Sequence, residues 1–161
     1  GIGRGQMRAL KKFVARRREV QQIYEEFLGN IPGITVHRAP SPEYNSNYWL
    51  PAILIDPEIS GVSNKDIYKA LENDLIESRP LWKPLHLQPV FEKYPFYGDG
   101  TSENLFEKGL CLPSGSSVTN DDLIRIINVI KQQIKIENKR SIRLKHFFSK
   151  THKINQTAAI W

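Results

Sequence analysis

The sequence predicts a small α/β domain of the α+β kind, in which helices cover one side of a sheet of three or four strands. Three observations predict it: a long amphipathic pattern over residues 4–28, a continuous apolar run over residues 49–55, and a capped amphipathic pattern over residues 119–134. Short strand-like stretches and further helical patterns lie between them. At 161 residues, the chain has room for one sizeable domain with a tail.

The first helix is predicted from apolar side chains that recur at three- and four-residue steps, which places them on one face. These are Met7, Leu10, Val14, Tyr24 and Leu28. The opposite face is basic, and we interpret the three arginines at residues 16–18 as a solvated face or a partner contact. Gly29 and Asn30 are predicted to end the helix through a left-handed cap, a conformation in which both residue types are common.

Two strands and a helix are predicted next. Residues 34–38 alternate between apolar and polar side chains, which is typical of a strand with one buried face. The apolar run within residues 48–56 indicates a strand buried on both faces, and residues 57–61 are predicted as a turn. Ser63, with Asp66 three positions later, has the spacing of a capping box. It begins a helix whose apolar stripe is Ile67, Ala70, Leu71 and Leu75.

The elements that follow are shorter until the last helix. Ser102 is predicted to cap a helix over residues 103–108, and residues 110–112 are predicted as a brief buried strand. Cys111 lies in this strand and is expected to be a buried, inert thiol. Thr119 then caps a helix with an apolar face: Leu123, Ile126, Ile127, Ile130 and Ile134.

Residues 76–91, the proline-rich segment, contain prolines at positions 80, 84 and 89. Each proline fixes its own φ, removes a backbone donor and biases the preceding residue towards extended backbone, so a helix is not expected here. The segment displays five side chains that suit a binding cleft: Arg79, Trp82, Lys83, His86 and Gln88. Two interpretations stay open, a wall of a binding cleft and a stiff connector whose polar groups only pack and cap.

Composition and charge argue against several classes of protein. No apolar run approaches the roughly 20 residues that a membrane span needs, so no membrane partner is expected. The net charge of +6 comes from six cations in residues 139–161, which contain no acid, while the other 17 of the 23 cations balance 17 acids. A basic tail is weak support for any specific partner, and no nucleic-acid partner is expected. A single cysteine is compatible with a cytoplasmic location.

Chemical motifs are few. No glycine-rich phosphate loop is recognisable, and the four histidines are not spaced as metal ligands, so no metal is predicted. No nucleophile elbow or set of serine, histidine and aspartate is discernible. These exclusions leave His86 as the one polar candidate, although a lone histidine is more often structural.

Four stretches, in this order along the chain, resemble segments of one protein family. They are Gly1-Ile-Gly-Arg-Gly-Gln-Met7, Asn47-Tyr-Trp-Leu50, the proline-rich segment, and Leu105-Phe-Glu-Lys-Gly-Leu-Cys-Leu-Pro-Ser-Gly-Ser116. Over about residues 1–135 the chain resembles the C-terminal region of the DegT/StrS-type nucleotide-sugar aminotransferases. The resemblance is strongest to the branch that acts on 4-keto sugars for polysaccharide or glycan synthesis.

The resemblance implies the aspartate-aminotransferase type of fold, a homodimer, and transfer of an amino group from glutamate to a nucleotide-linked keto sugar. It assigns residues 1–138 to the C-terminal small domain, with residues 1–29 as the helix that leads to a large domain, and leaves residues 139–161 as a basic, flexible tail. In such enzymes the Schiff-base lysine lies in the large domain. Pyridoxal phosphate is therefore expected in the full-length enzyme and not on this fragment, which is expected to hold no catalytic residue and to be inactive alone.

In that setting the proline-rich segment is expected to line the active-site entrance. His86 is expected to hydrogen-bond the sugar or the diphosphate, and Trp82 to stack on the sugar or base. Arg79 and Lys83 are expected to pair with the diphosphate or the donor carboxylate, and Gln88 belongs to the same set. The alternative is a stand-alone interaction or dimerisation module without catalysis, which would use the long helix and an exposed apolar patch.

Overall fold

A computed structural model describes residues 1–134 of the chain. The helices within them are α1 (Ile2–Leu28), α2 (Pro57–Ser60), α3 (Asn64–Asn73), α4 (Thr101–Lys108) and α5 (Asn120–Gln133), with one 3₁₀ turn (Leu85–Leu87). The strands are β1 (Ile34–Val36), β2 (Ala52–Ile55), β3 (Arg79–Pro80) and β4 (Gly109–Cys111). They form one antiparallel sheet in the order β1-β2-β4-β3, which confirms the predicted fold class. The predicted tail, residues 139–161, lies outside the described residues.

The sheet buries one face in the apolar core that it shares with α1, α3 and α5. Ile53 in β2 lies opposite Val36 in β1 and Leu110 in β4, and directly paired residues of antiparallel strands share a face. All three are buried in the core cluster. Leu54, on the other face, is only half-buried. The predicted strand over residues 48–56, buried on both faces, is therefore wrong: β2 covers four residues and its burial alternates.

Helix α1 follows its predicted apolar face, but its two halves differ in burial. Val20, Ile23, Tyr24, Phe27 and Leu28 are buried in the core. The first twelve residues are exposed apart from Ala9, so that Met7 is 68% exposed. The apolar stripe of α1 therefore continues past the core into solvent.

The end of α1 is not the left-handed cap that Gly29 and Asn30 predict. Gly29 has φ −65° and ψ −12°, which is still right-handed, and its N–H donates to the carbonyl of Glu25. The left-handed glycine is Gly33, with φ +80°, in the turn that enters β1. A Cβ at Gly33 would also lie 2.6 Å from the backbone nitrogen of Ser60, so both the angle and the close approach favour glycine.

The predicted capping box at Ser63 and the predicted cap at Thr119 are confirmed, and the second is a capping box as well. Ser63 and Asp66 bond reciprocally at the start of α3, and Thr119 and Asp122 do so at the start of α5. In each box the serine or threonine oxygen accepts from a backbone N–H in the first turn, and the aspartate accepts from the backbone N–H of the cap residue. These hydrogen bonds fix where the two core helices begin.

Four local predictions are wrong. Helix α3 ends at Asn73, and Leu75, at φ +56°, is 90% exposed rather than part of the apolar stripe. Residues 57–61 contain the short helix α2 and not only a turn, because the Asp56 side chain caps it. Helix α4 begins after a left-handed glycine without a side-chain cap, and Ser102 lies inside its first turn. The proline-rich segment contains the 3₁₀ turn, which needs only one turn of bonded backbone.

Two buried side chains connect distant parts of the chain. Tyr24 of α1 donates its hydroxyl to the carbonyl of Pro113 at 2.8 Å, and burial raises the pKa of that hydroxyl. Asn64 at the start of α3 donates to the carbonyl of Gly109 at 3.1 Å. These bonds hold both ends of the stretch that contains β4 against the helices, and this stretch lines a groove beside β3.

Candidate functional site

An open groove of about 1130 Å³ lies beside the edge strand β3. It is lined by residues 75–82, by residues 111–115, and by the first turns of α5. Trp49 and Trp82 contribute aromatic surface to it. The charged side chains of its lining are Arg17, Glu77, Arg79, Asp122 and Arg125. Guanidinium groups beside aromatic rings suit an anionic ligand that contains a ring.

Two of the three arginines already have acidic partners. Arg79 contacts one carboxylate oxygen of Glu77 through Nε at 2.9 Å and through a terminal nitrogen at 2.5 Å. Arg125 bonds Asp74 through its carboxylate at 3.0 Å and also through its backbone carbonyl. All four side chains are largely exposed, and exposed pairs of this kind contribute little free energy. A ligand anion could replace Glu77 at Arg79 at small cost.

The third arginine differs, because Arg17 has no hydrogen-bond or ion-pair partner among residues 1–134, and its Nε is buried. Ser78, which is 8% exposed, has a buried hydroxyl that is also without a partner in the described part of the chain. Buried polar atoms without partners are rare and costly. Both residues line the groove, which therefore offers polar groups that residues 1–134 leave unsatisfied.

The other two arginines of the run at residues 16–18 tie α1 to neighbouring loops. Arg16 donates to the carbonyl of Val118 at 2.7 Å and to the side chain of Asn120 at 2.9 Å. Arg18 donates to the carbonyl of Ser46 at 3.0 Å. Arg16 and Arg18 are therefore half-buried rather than simply solvated, since each bonds a loop, and the alternative interpretation of the run as a partner contact stays a prediction.

His86 lies outside the groove, in the 3₁₀ turn of the proline-rich segment, and contacts α4. Its Nε2 lies 2.6 Å from Oε1 of Glu103, and its ring stacks on Phe96 with centroids 3.5 Å apart and planes 18° apart. The hydroxyl of Ser102 donates to Oε2 of Glu103 at 2.9 Å. The pKa of Glu103 is lowered, first by its own backbone N–H, then by the Ser102 hydroxyl and by His86. Glu103 is therefore a carboxylate at neutral pH.

The five residues singled out from the sequence fall into separate places. Arg79 and Trp82 line the groove, whereas Lys83, His86 and Gln88 are not part of its lining. Gln88 donates to the backbone carbonyl of Lys83 at 3.1 Å, which spans the 3₁₀ turn. Trp82 also lines a second cavity of about 630 Å³, together with residues 37–40 and 44–50. The roles expected of these five side chains stay predictions.

The sequence alone did not single out four further residues at these places: Arg17, Ser78, Glu103 and Arg125. Arg17 stands in a charged run, and Glu103 stands on a short helix, where charged side chains are ordinarily solvated. Of these four residues, only Ser78 could have been considered from the sequence, because it lies inside the proline-rich segment. Only the fold brings the other three to a cleft or to His86.

The groove does not fit the cofactor-linking chemistry of a pyridoxal enzyme. A Schiff base needs a lysine amine that faces the site, and the lining that the structure describes contains arginines but no lysine. Within residues 1–134, no group of three or more metal-ligating side chains lies together, and no helix has the length and apolar character to cross a membrane. What the groove does fit is an anion.

A four-stranded antiparallel sheet backed by helices, with a candidate anion-binding groove at its edge, defines a small domain of mixed fold. Residues 1–131 match the model of the DegT/DnrJ/EryC1/StrS aminotransferase family, and the chain belongs to this family. It is 39% identical over 137 residues to the putative pyridoxal phosphate-dependent aminotransferase EpsN of Bacillus subtilis, with 81% of this chain and 34% of the relative covered. It is 31% identical over 136 residues to the GDP-perosamine synthase of Vibrio cholerae, covering 81% and 35%. The chain thus spans about a third of the length of these curated relatives.

Solved structures share the fold at lower identity. The aminotransferase TlmJ from Streptoalloteichus hindustanus superposes with a TM-score of 0.70 at 24% identity, covering 81% of this chain and 34% of the other. DesI in the presence of its TDP-sugar product superposes with a TM-score of 0.69 at 21% identity, covering 87% and 35%. These likenesses establish the aminotransferase-type fold of the domain.

Proposed function

We propose that this chain is the C-terminal small domain of a pyridoxal-phosphate-dependent aminotransferase. The full enzyme would move an amino group from glutamate to a nucleotide-linked 4-keto sugar for polysaccharide or glycan biosynthesis. The observation that carries the proposal is the family match over residues 1–131. Relatives named GDP-perosamine synthase and spore coat polysaccharide biosynthesis protein SpsC support a nucleotide sugar and a polysaccharide product.

The proposed work of this domain is to bind and orient the sugar nucleotide. Arg79 would exchange its exposed partner Glu77 for a diphosphate oxygen, with a two-point contact. Trp82, 69% exposed beside the groove, would stack on the sugar or base. His86 would hydrogen-bond the sugar, while Lys83 would add a point charge and Gln88 would hold the turn between them.

The cofactor chemistry would come from the rest of the enzyme. Pyridoxal phosphate, when bound, supplies an electron sink for the amino transfer. The lining of the groove beside β3, within residues 1–134, offers guanidinium groups and no lysine, so this chain is proposed to be inactive alone. The exposed apolar side chains of Ile2, Met7 and Leu10 on α1 support association with the remainder of the enzyme and its homodimer partner, because exposed apolar patches mark interaction sites.

The test is a chimera in which residues 1–131 replace the matching segment of the Bacillus subtilis relative. Amino transfer to a nucleotide-linked keto sugar by the chimera would support the proposal. A chimera that folds, binds pyridoxal phosphate as its parent does and transfers no amino group would overturn it. Within an active chimera, His86→Ala should lower kcat/KM for the sugar by about tenfold, which corresponds to one lost hydrogen bond of about 1.4 kcal/mol.

A second candidate function is an interaction or dimerisation module without catalysis. It is favoured by the uncovered apolar stripe of α1, which includes Ile2, Met7 and Leu10. The double variant Met7→Glu and Leu10→Glu separates the two functions when the association state of the purified chain is measured by sedimentation. A chain that associates through this stripe, together with an inactive chimera, would favour the module.

A further inference from the structure

We propose that Glu103 is a positioning residue for His86, and that His86 meets its ligand through Nδ1. The proposal deepens the role of His86 in sugar binding and rests on the proposed function in that respect. Its first part concerns the orientation of the His86 imidazole in this chain. Its second part concerns which imidazole nitrogen faces the substrate.

The contact between the two side chains is short and sheltered. Nε2 of His86 and Oε1 of Glu103 lie 2.6 Å apart, with 17% and 27% of the side chains exposed. The second carboxylate oxygen accepts from the hydroxyl of Ser102 at 2.9 Å, so the carboxylate is itself held in place. A carboxylate accepts hydrogen bonds and does not donate them. Glu103 therefore requires the proton of the neutral imidazole to be on Nε2.

The plane of the imidazole is held by a stacking contact, in addition to the hydrogen bond at Nε2. Phe96 stacks on the ring with centroids 3.5 Å apart and planes 18° apart. The bond at Nε2 and the stacking on Phe96 together restrict the orientation of the ring. The contact joins the proline-rich segment to the start of α4, which are 17 residues apart along the chain.

The remaining nitrogen is open. Nδ1 of His86 has no hydrogen-bond partner among residues 1–134, and it is not among the buried unsatisfied atoms, so it reaches solvent. In the Nε2–H tautomer, Nδ1 carries a lone pair and accepts. The ligand group that suits it is a hydroxyl, which a sugar provides and a fully ionised phosphate does not.

The positioning statement is tested by NMR on the chain itself, with ¹⁵N-labelled histidine. The Nε2–H proton of His86 should give a downfield signal, because a hydrogen bond to a sheltered carboxylate slows its exchange with water. Glu103→Ala should abolish this signal and the contacts between the His86 and Phe96 ring protons, whereas Glu103→Gln, which keeps an acceptor oxygen, should retain part of it. Glu107→Ala, at an exposed position on the same helix, should leave both readouts unchanged.

A Glu103→Ala variant that keeps the Nε2–H signal and the ring contacts would overturn the positioning role. Unchanged amide shifts in β4 and α5 establish that each variant is folded. His86→Gln identifies the signal by removing it. None of these readouts depends on amino transfer, so they stand or fall independently of the proposed function.

The assignment of Nδ1 to the ligand is tested in the active chimera by replacing His86 with asparagine or with glutamine, whose side-chain amides differ in reach. The amide of asparagine reaches the position of Nδ1, and that of glutamine reaches the position of Nε2. His86→Asn should retain at least severalfold more kcat/KM for the nucleotide sugar than His86→Gln, with the difference in KM. Equal losses, or a better glutamine variant, would overturn the assignment of Nδ1. A chimera in which His86→Ala has no effect would instead remove His86 from the proposed site.

Discussion

Gly109 is the position where one methyl group should disturb the proline-rich segment most. It begins β4, and its backbone carbonyl accepts from Asn64. A Cβ at Gly109 would lie 2.1 Å from Cδ1 of Leu81 and 2.5 Å from the carbonyl oxygen of Leu105. The φ of Gly109 is −89°, which any residue adopts, so the cost of Gly109→Ala comes from these contacts alone.

The expected cost follows from the two overlaps. Carbon atoms pack at about 3.5–4.0 Å, so Leu81 would have to retreat by about 1.5 Å. That side chain can rotate, but the oxygen of Leu105 belongs to the last turns of α4 and moves only with the backbone. Overpacking of this kind costs about 1–3 kcal/mol. We expect Gly109→Ala to lie at the upper end of that range, because one of the two clashes is with backbone.

The assay is urea unfolding followed by tryptophan fluorescence. With a urea dependence of about 2 kcal/mol per molar, a loss of about 3 kcal/mol lowers the midpoint by about 1.5 M. The matched control is Gly115→Ala, whose Cβ would meet only Ser117 and Val118 at 3.6 and 3.7 Å and should change stability by less than about 0.5 kcal/mol. Adding Leu81→Ala to Gly109→Ala should relieve part of the loss. A Gly109→Ala variant as stable as the parent would refute this packing of the segment on β4.

Three further predictions concern the core and the helix caps. Tyr24→Phe should cost about 1–2 kcal/mol in urea unfolding, because the carbonyl of Pro113 loses a buried donor. Thr119→Ala should cost about 1 kcal/mol. The hydroxyl and backbone N–H of Thr119 lower the pKa of Asp122, so that contribution is present above the unfolded pKa of about 3.9 and is lost as pH falls through the folded value. The variant should accordingly show a smaller loss of stability in acid than the parent. Cys111 is 4% exposed and burial raises its thiol pKa, so a thiol reagent should modify it only as fast as the domain opens, as followed by mass spectrometry.

Local patterns in the sequence predicted those parts of the fold that local physics determines. The periodicity of α1, the capping pair at Ser63 and the cap at Thr119 each depend on residues within a few positions of one another, and the structure has them as predicted. The apolar run over residues 49–55 was misread, because side chains on the second face of a strand can be apolar without being covered. Coverage depends on which helix packs there, and a run of residue types does not contain that information.

The residues of the candidate site were harder to predict than the helices, because tertiary contacts bring them together. Composition left the proline-rich segment open as a cleft wall or a stiff connector, and in the structure Arg79 lines the groove whereas His86 contacts α4. Glu103 could not be singled out, because it comes to His86 only when the chain folds back over 17 residues. The arginine run at residues 16–18 likewise divides between loop contacts and the groove, according to the direction in which each side chain leaves α1.

The most direct test of the central claim is a titration of the purified chain with pyridoxal phosphate, followed by borohydride reduction and mapping of the modified lysines. If these residues form the substrate-binding part of an aminotransferase whose cofactor lysine lies elsewhere, no imine absorbance band should saturate, and no lysine should be labelled to near one pyridoxyl group per chain. A saturable band traced to a single lysine would contradict the account, because it would place a cofactor centre within these residues.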